Sequence, residues 1–216
     1  MRRGLVYGGA AVSLGAALFW LRREGLPSAD EAVRELQPPP EAAPMCPWRE
    51  PEADLQRFFP GATGYQTETL ILSSRYAELS GALGRRPSPD ELSLRLHRIR
   101  REDALLGTIL TRRVKGESGA IEFVLALDRG GTVRGLRLQR LREPEEVAGA
   151  LLRPAWLGSF AGKTAANRWR LGEDLPAVDP RAIGSAQAIV EGVRSLLILL
   201  AVAENTAQPP SAPSHH

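Results

Sequence analysis

In the stretch GAIEFVLALD, Ile121, Phe123, Leu125 and Leu127 recur at every second position, the period of a strand that buries one face. The segments LRLHRIR, LLGTILTRRVKG and TVRGLRLQRL around it also read as strands. Short links such as Glu117-Ser118-Gly119 and Arg129-Gly130-Gly131 join them, which predicts an antiparallel meander over 106–140. A sheet with one apolar face needs a cover. SAQAIVEGVRSLLILLAVAE supplies one, because Ile189, Val193, Leu196, Leu197 and Leu200 fall on one face of a helix over 185–204. Upstream, ADLQRFFPGA predicts a short helix ending at Pro60-Gly61, and SSRYAELSGALG a second that stops at Gly84. SPDEL at 88–92 has the form of a helix start, with Ser88 as cap, Pro89 at the first position and acids in the first turn. The expected fold class is therefore α+β: an antiparallel β-meander sheet packed against helices, with one N-terminal transmembrane helix.

That last helix is read from GLVYGGAAVSLGAALFWL, residues 4–21, an uncharged run flanked by Arg2-Arg3 and Arg22-Arg23. Eighteen helical residues rise about 27 Å, close to the thickness of a bilayer's hydrocarbon core. A cleaved signal peptide is the competing reading, but the P-S-A ending at Ala29 is a poor small-x-small cleavage site. The acids Glu24, Asp30, Glu31 and Glu35 after the span favour an amino terminus inside. A single-pass protein of the inner (cytoplasmic) membrane, with its domain on the periplasmic side, is expected. The chain then divides into an anchor (1–23), a Pro-rich linker (24–52), a folded domain (53–205) and a Pro/Ser-rich tail expected to be disordered (206–216).

Composition removes several chemistries. The 216 residues carry a net charge of +3, with 28 Lys and Arg against 25 Asp and Glu, and this near balance gives no reason to expect nucleic acid as a partner. One cysteine, Cys46, excludes an internal disulfide, a CxxC pair, a cysteine-rich zinc site and CxxCH haem attachment. Of three histidines, two lie in the tail and His97 stands alone, so neither a histidine metal cluster nor a Ser-His-Asp triad is expected. GSFAGKT at 158–164 has only three residues between its glycines, one fewer than a phosphate-binding P-loop. The arginines at 95, 98, 100, 101, 112 and 113 offer either a phosphate-binding cluster or an ordinary charged strand face.

One motif remains. In DPRAIGSAQAIVEGVR, residues 179–194, a Gly-Ser turn leads into an apolar helix. Helix N-termini carry free N–H groups and the positive end of the macrodipole, so the amides at 185–187 form a candidate phosphate seat. An ordinary N-cap by Ser185 is the plain alternative.

The order of pieces adds a resemblance. FFPGA, a strand beginning LLGTIL, RRVKGESGAIEFVLALDRGGTVRGLRL, Glu143, FAGK, then the turn and AIVEGVR: over residues 54–196 this succession resembles the FMN-binding domain family. That family includes extracytoplasmic flavoprotein subunits of Rnf complexes and of the sodium-translocating NADH:quinone reductase. The resemblance implies a membrane-anchored FMN electron-transfer protein with other subunits of a membrane redox complex as partners. It would be an electron-transfer subunit rather than a stand-alone enzyme, with no catalytic acid or base and no metal, because the flavin does the redox chemistry. It further implies that Gly184, Ser185 and Ala186 receive the flavin phosphate, that Lys163 neutralises it within the element Phe160, Gly162 and Lys163, and that Gly119, Ala120 and Glu143 line the ring. The family's attachment turn, Ser/Thr-Gly-Ala-Thr, departs here: one alignment puts Ile183 at the acceptor position and another Ser185, and neither yields threonine. FMN, if held, is expected to be bound without a covalent phosphoester. The alternative is a degenerate domain without flavin that serves as a scaffold or interaction subunit of a membrane assembly.

Overall fold

A computed structural model describes residues 51–205, so the predicted anchor, the linker up to residue 50 and the tail lie outside the described residues. The core element is a five-stranded antiparallel sheet in plain sequence order. Its strands are β1 (Gly64–Ile71), β2 (Ser93–Arg101), β3 (Ala104–Lys115), β4 (Ala120–Asp128) and β5 (Val133–Leu141). β2 to β5 are the expected meander. β1 extends it by one strand that the apolar pattern does not announce, because its side chains alternate between half-buried and exposed.

Helices α1 (Glu52–Phe58), α2 (Tyr76–Leu83), α3 (Glu145–Leu151), α4 (Pro154–Gly158) and α5 (Ile183–Glu204) complete the fold. α2 stops where Gly84 takes a left-handed conformation and its N–H caps the Ser80 carbonyl. The SPDEL start is a short 3-10 turn, Pro89–Glu91, with the expected Ser88 cap in a reciprocal capping box with Glu91.

The sheet buries both faces, unequally. Ile121, Phe123, Leu125 and Leu127 face the larger core, where Ile189, Val193, Leu196, Leu197 and Leu200 of α5 join them. The opposite face of Ile99, Ile109, Val124 and Ala126 packs with Phe59 and the partly buried Leu55 and Phe58 of the α1 region. Asp54 of α1, fully buried, accepts two hydrogen bonds from Arg137 of β5 at 2.5 and 2.6 Å and so ties α1 to that face. The α5 segment with its lead-in, Pro180–Glu204, is apolar and long enough to cross a membrane, yet most of it is buried within the fold. It is the core helix of this domain.

Candidate functional site

The turn that opens α5 differs from its expected form. The cap is Asp179, whose side chain accepts from the Arg181 amide at 3.0 Å, and a 3-10 turn, Pro180–Ala182, runs into α5 at Ile183. Asp179 holds its carboxyl below the usual carboxylate range, first through its hydrogen bond from the Arg181 guanidinium. The free donors of this helix start are used locally: Pro180 has no N–H, Ala182 donates to the Asp179 carbonyl and Ile183 to the Pro180 carbonyl. Ser185 is therefore not the N-cap. It lies two residues inside α5, and the amides at 186 and 187 fall where the helix's own i→i−4 bonding begins.

Ser185 is fully buried and its hydroxyl makes two bonds. It donates to Glu143 Oε1 at 2.9 Å and accepts from the Glu117 amide at 3.0 Å. The other Glu143 oxygen, Oε2, accepts from the Ser118 amide at 3.1 Å. Thus the β3–β4 hairpin, the segment after β5 and the start of α5 are joined through one hydroxyl and one carboxylate. Two glycines permit the approach. A Cβ at Gly116 would fall 1.9 Å from Glu143 Oε1, and one at Gly184 would fall 2.1 Å from Glu117 Oε1. Carboxylates of Glu117 and Glu143 consequently occupy the space around the expected phosphate seat, and Asp179 adds a third acid at the helix start. A dianionic phosphate there would meet like charge.

Gly184, Ser185, Glu143 and Gly119 are brought together as expected; Gly119 lies against the Arg142 carbonyl, 2.5 Å from where its Cβ would stand. Ala120 begins β4 opposite Lys115, and Ala186 is buried in the core. Phe160, Gly162 and Lys163 are elsewhere. The Lys163 carbonyl accepts from Val133 and the Gly162 amide donates to the Val133 carbonyl, both at 2.8 Å, so this element docks where β5 begins, opposite Leu127. Gly119 is eight residues away from Leu127 along this stretch of chain, roughly 26 Å at the strand rise. Phe160 is fully buried, its ring packed on Trp156 at 5.1 Å and Trp169 at 6.1 Å. It is a core aromatic.

On the other side of the α5 start lies a hollow of about 450 Å³, lined by Trp169, Leu171, Val178, Ile183, Gln187 and Val190 among others. Ile183, the residue that one alignment places at the flavin acceptor position, is 46% exposed at its rim. Trp169 has a left-handed backbone (φ 60°), held by its amide on Asp174 Oδ2 at 2.7 Å and its indole N–H on the Thr164 carbonyl at 3.0 Å.

The arginine cluster is largely structural. Arg112 is mostly buried under α5, bonded to Ser195 at 2.6 Å and paired with Glu91 at 3.4 Å; burial pulls its pKa down against the Glu91 charge. Glu91 also binds Arg85, Ser195 and the Ser88 amide. Burial opposes its charge, but these donors outweigh burial and hold its carboxyl well below the ordinary range. Arg113 pairs with buried Glu122, and Arg101 donates to the Gly61 and Pro60 carbonyls. The capping pattern at Ser88 was the one signal in the sequence that pointed to Glu91; nothing flagged Glu117 or Trp169. No family model matches this chain, and no curated protein matches it.

Proposed function

We propose that this chain is a membrane-tethered interaction subunit, built on a domain that resembles the FMN-binding family but working without flavin at the turn that opens α5. One observation carries the reading: the Ser185 hydroxyl is buried and fully engaged by Glu143 and the Glu117 amide. A phosphate at this place would have to displace Glu143, unseat the hairpin amides at 117 and 118, and sit among acids. The node instead has the character of a structural clamp, joining three segments by hydrogen bonds to one carboxylate. Residues 4–21 supply the tether to the inner membrane, and the linker holds the domain off it on the periplasmic side. Partners are then other subunits of a membrane assembly.

A second reading, an electron carrier with non-covalent FMN, is favoured by the hollow beside Trp169 and Ile183. Its volume lies within the range of small-molecule sites, and an exposed isoleucine offers apolar contact but no hydroxyl for a phosphoester.

Titration of the full chain with FMN and with riboflavin, followed by quenching of flavin fluorescence, separates the two. The interaction subunit leaves both flavins unquenched. Saturable quenching that Ile183→Asp abolishes would establish the second reading.

A further inference from the structure

The sheet is split along one seam. Between β2 and β3 the ladder stops at Leu96 and Leu110, although β2 stays paired with β1 as far as Ser93 and β3 with β4 as far as Lys115. The Leu72 amide donates to the Leu92 carbonyl, so even residues of β2 bond toward β1, and the Gly116 amide donates to the Gly119 carbonyl, so even residues of β3 bond toward β4. Odd residues therefore turn their backbone groups toward the seam, and past the last rung Ser93 and Thr111 border a gap. A hollow of about 390 Å³ occupies it, walled by residues 93–95 of β2 and 111–113 of β3 and reaching Leu196 of α5.

The gap is basic. Arg95, Arg112 and Arg113 line it against one lining acid, Asp90. The carboxylates paired with these arginines do not balance the charge, because each serves two guanidiniums. Arg85 grips both oxygens of Glu91 at 2.7 and 2.8 Å, while Arg112 reaches the same carboxylate at 3.4 Å. Arg113 pairs with Glu122, and Arg140 stands 4.0 Å from it. These partners hold the guanidiniums in place, and with five N–H donors an engaged arginine still receives a second carboxylate.

We infer that the β2–β3 gap receives an extended, acidic segment of a partner subunit, its backbone against Ser93 and Thr111 and its carboxylates on Arg95 and Arg113, with the mostly buried Arg112 adding charge from the α5 side. The inference rests on the reading of this chain as an interaction subunit and gives that subunit a surface and a partner chemistry. The split stretch is three residues long on each wall, roughly 10 Å at the strand rise and the length of an extended tripeptide. Backbone groups presented at strand spacing suit a peptide, and guanidinium forks suit carboxylates. A gap inside a sheet admits a chain; the plane of a bilayer does not enter it.

The test uses the full chain in a neutral detergent and fluorescein-labelled hexaglutamate, followed by fluorescence anisotropy. Saturable binding is expected that unlabelled hexaglutamine does not displace and that weakens several-fold between about 50 and 500 mM salt. Arg95→Ala, at an exposed position, and Thr111→Glu, which sets a like charge on the gap wall, should each weaken it about tenfold or more with unchanged circular dichroism. Arg168→Ala, which removes an arginine 75% exposed in the segment between α4 and α5, should not. Absence of binding overturns the inference, as does binding that hexaglutamine displaces equally or that both gap variants retain. Displacement of the peptide by inorganic phosphate or by phosphatidylglycerol nanodiscs at lower concentration than by unlabelled hexaglutamate would assign the gap to a phosphoryl group and overturn it too. Flavin titration reads the hollow beside Trp169, so a flavin-bearing chain that still binds hexaglutamate refutes the flavin-free reading and leaves this assignment standing.

Discussion

Replacing Ser185 by Ala isolates the clamp that sets the reading of this domain. The residue is fully buried, donates to a carboxylate at 2.9 Å and accepts an amide at 3.0 Å. Removing the hydroxyl deletes a hydrogen bond to a charged group, a contribution of about 1.5–3 kcal/mol, and leaves the Glu117 N–H without its acceptor, a further cost of about 1–3 kcal/mol where water cannot reach it. Glu117 itself is exposed, so water replaces part of the second loss. The expected destabilisation is therefore about 2–4 kcal/mol. For a domain of this size each kcal/mol lowers the melting temperature by roughly 2–4 °C, which gives a drop of about 4–16 °C. Urea unfolding followed by circular dichroism gives the free energy directly. Glu143→Ala completes a double-mutant cycle, and the two changes should be strongly non-additive because both remove the Ser185–Glu143 bond. A loss below about 0.5 kcal/mol for Ser185→Ala, or additive effects in the cycle, would refute the clamp, since exposed substitutions commonly fall in that range.

Phe123→Ala or Leu197→Ala, each in the main core between sheet and α5, should cost about 2–5 kcal/mol in the same assay. Glu91→Gln leaves Arg112 and Arg85 facing a neutral amide in a buried setting and should cost about 3 kcal/mol by chemical denaturation. Because the folded pKa of Glu91 is depressed, its contribution is fully present above the ordinary value near 4.5 and is lost as pH falls below it. A stability profile of the parent chain should therefore drop more steeply below that pH than the profile of Glu91→Gln. N-terminal sequencing of the membrane-extracted protein should find residues 4–21 retained; a start near Asp30 would mean a cleaved signal peptide.

What the sequence makes legible follows from how each element is stabilised. β4 and α5 bury most of their side chains, so their periods of two and 3.6 are written in Ile121 to Leu127 and in Ile189 to Leu200, and both occur as expected. β1 was not legible, because an edge strand with exposed Thr67 and Thr69 has little apolar alternation to display. α5 starts at Ile183 rather than Ser185 because a 3-10 turn, capped by Asp179, runs straight into it, while the Ser185 hydroxyl is committed to Glu143. Order along the chain brought Gly119, Glu143 and Ser185 to one place, whereas Lys163 follows a long excursion after β5 whose destination depends on two backbone bonds to Val133. Such bonds leave no trace in residue type. Arg98 and Arg112 pair with Glu204 and Glu91 from distant segments, partners that spacing alone does not identify, whereas Arg113 meets Glu122 directly across the β3–β4 hairpin.

We propose that the turn opening α5 is a closed hydrogen-bonded clamp and that the domain works without flavin. The visible absorption spectrum of the full chain, extracted from membranes of its native host without added cofactor, tests this most directly. A colourless protein is expected, with no flavin bands and no flavin released on acid precipitation. Flavin absorption in stoichiometric amount would contradict it, and mass spectrometry of the precipitated polypeptide would then show whether the flavin had left with the supernatant or remained on Ser185.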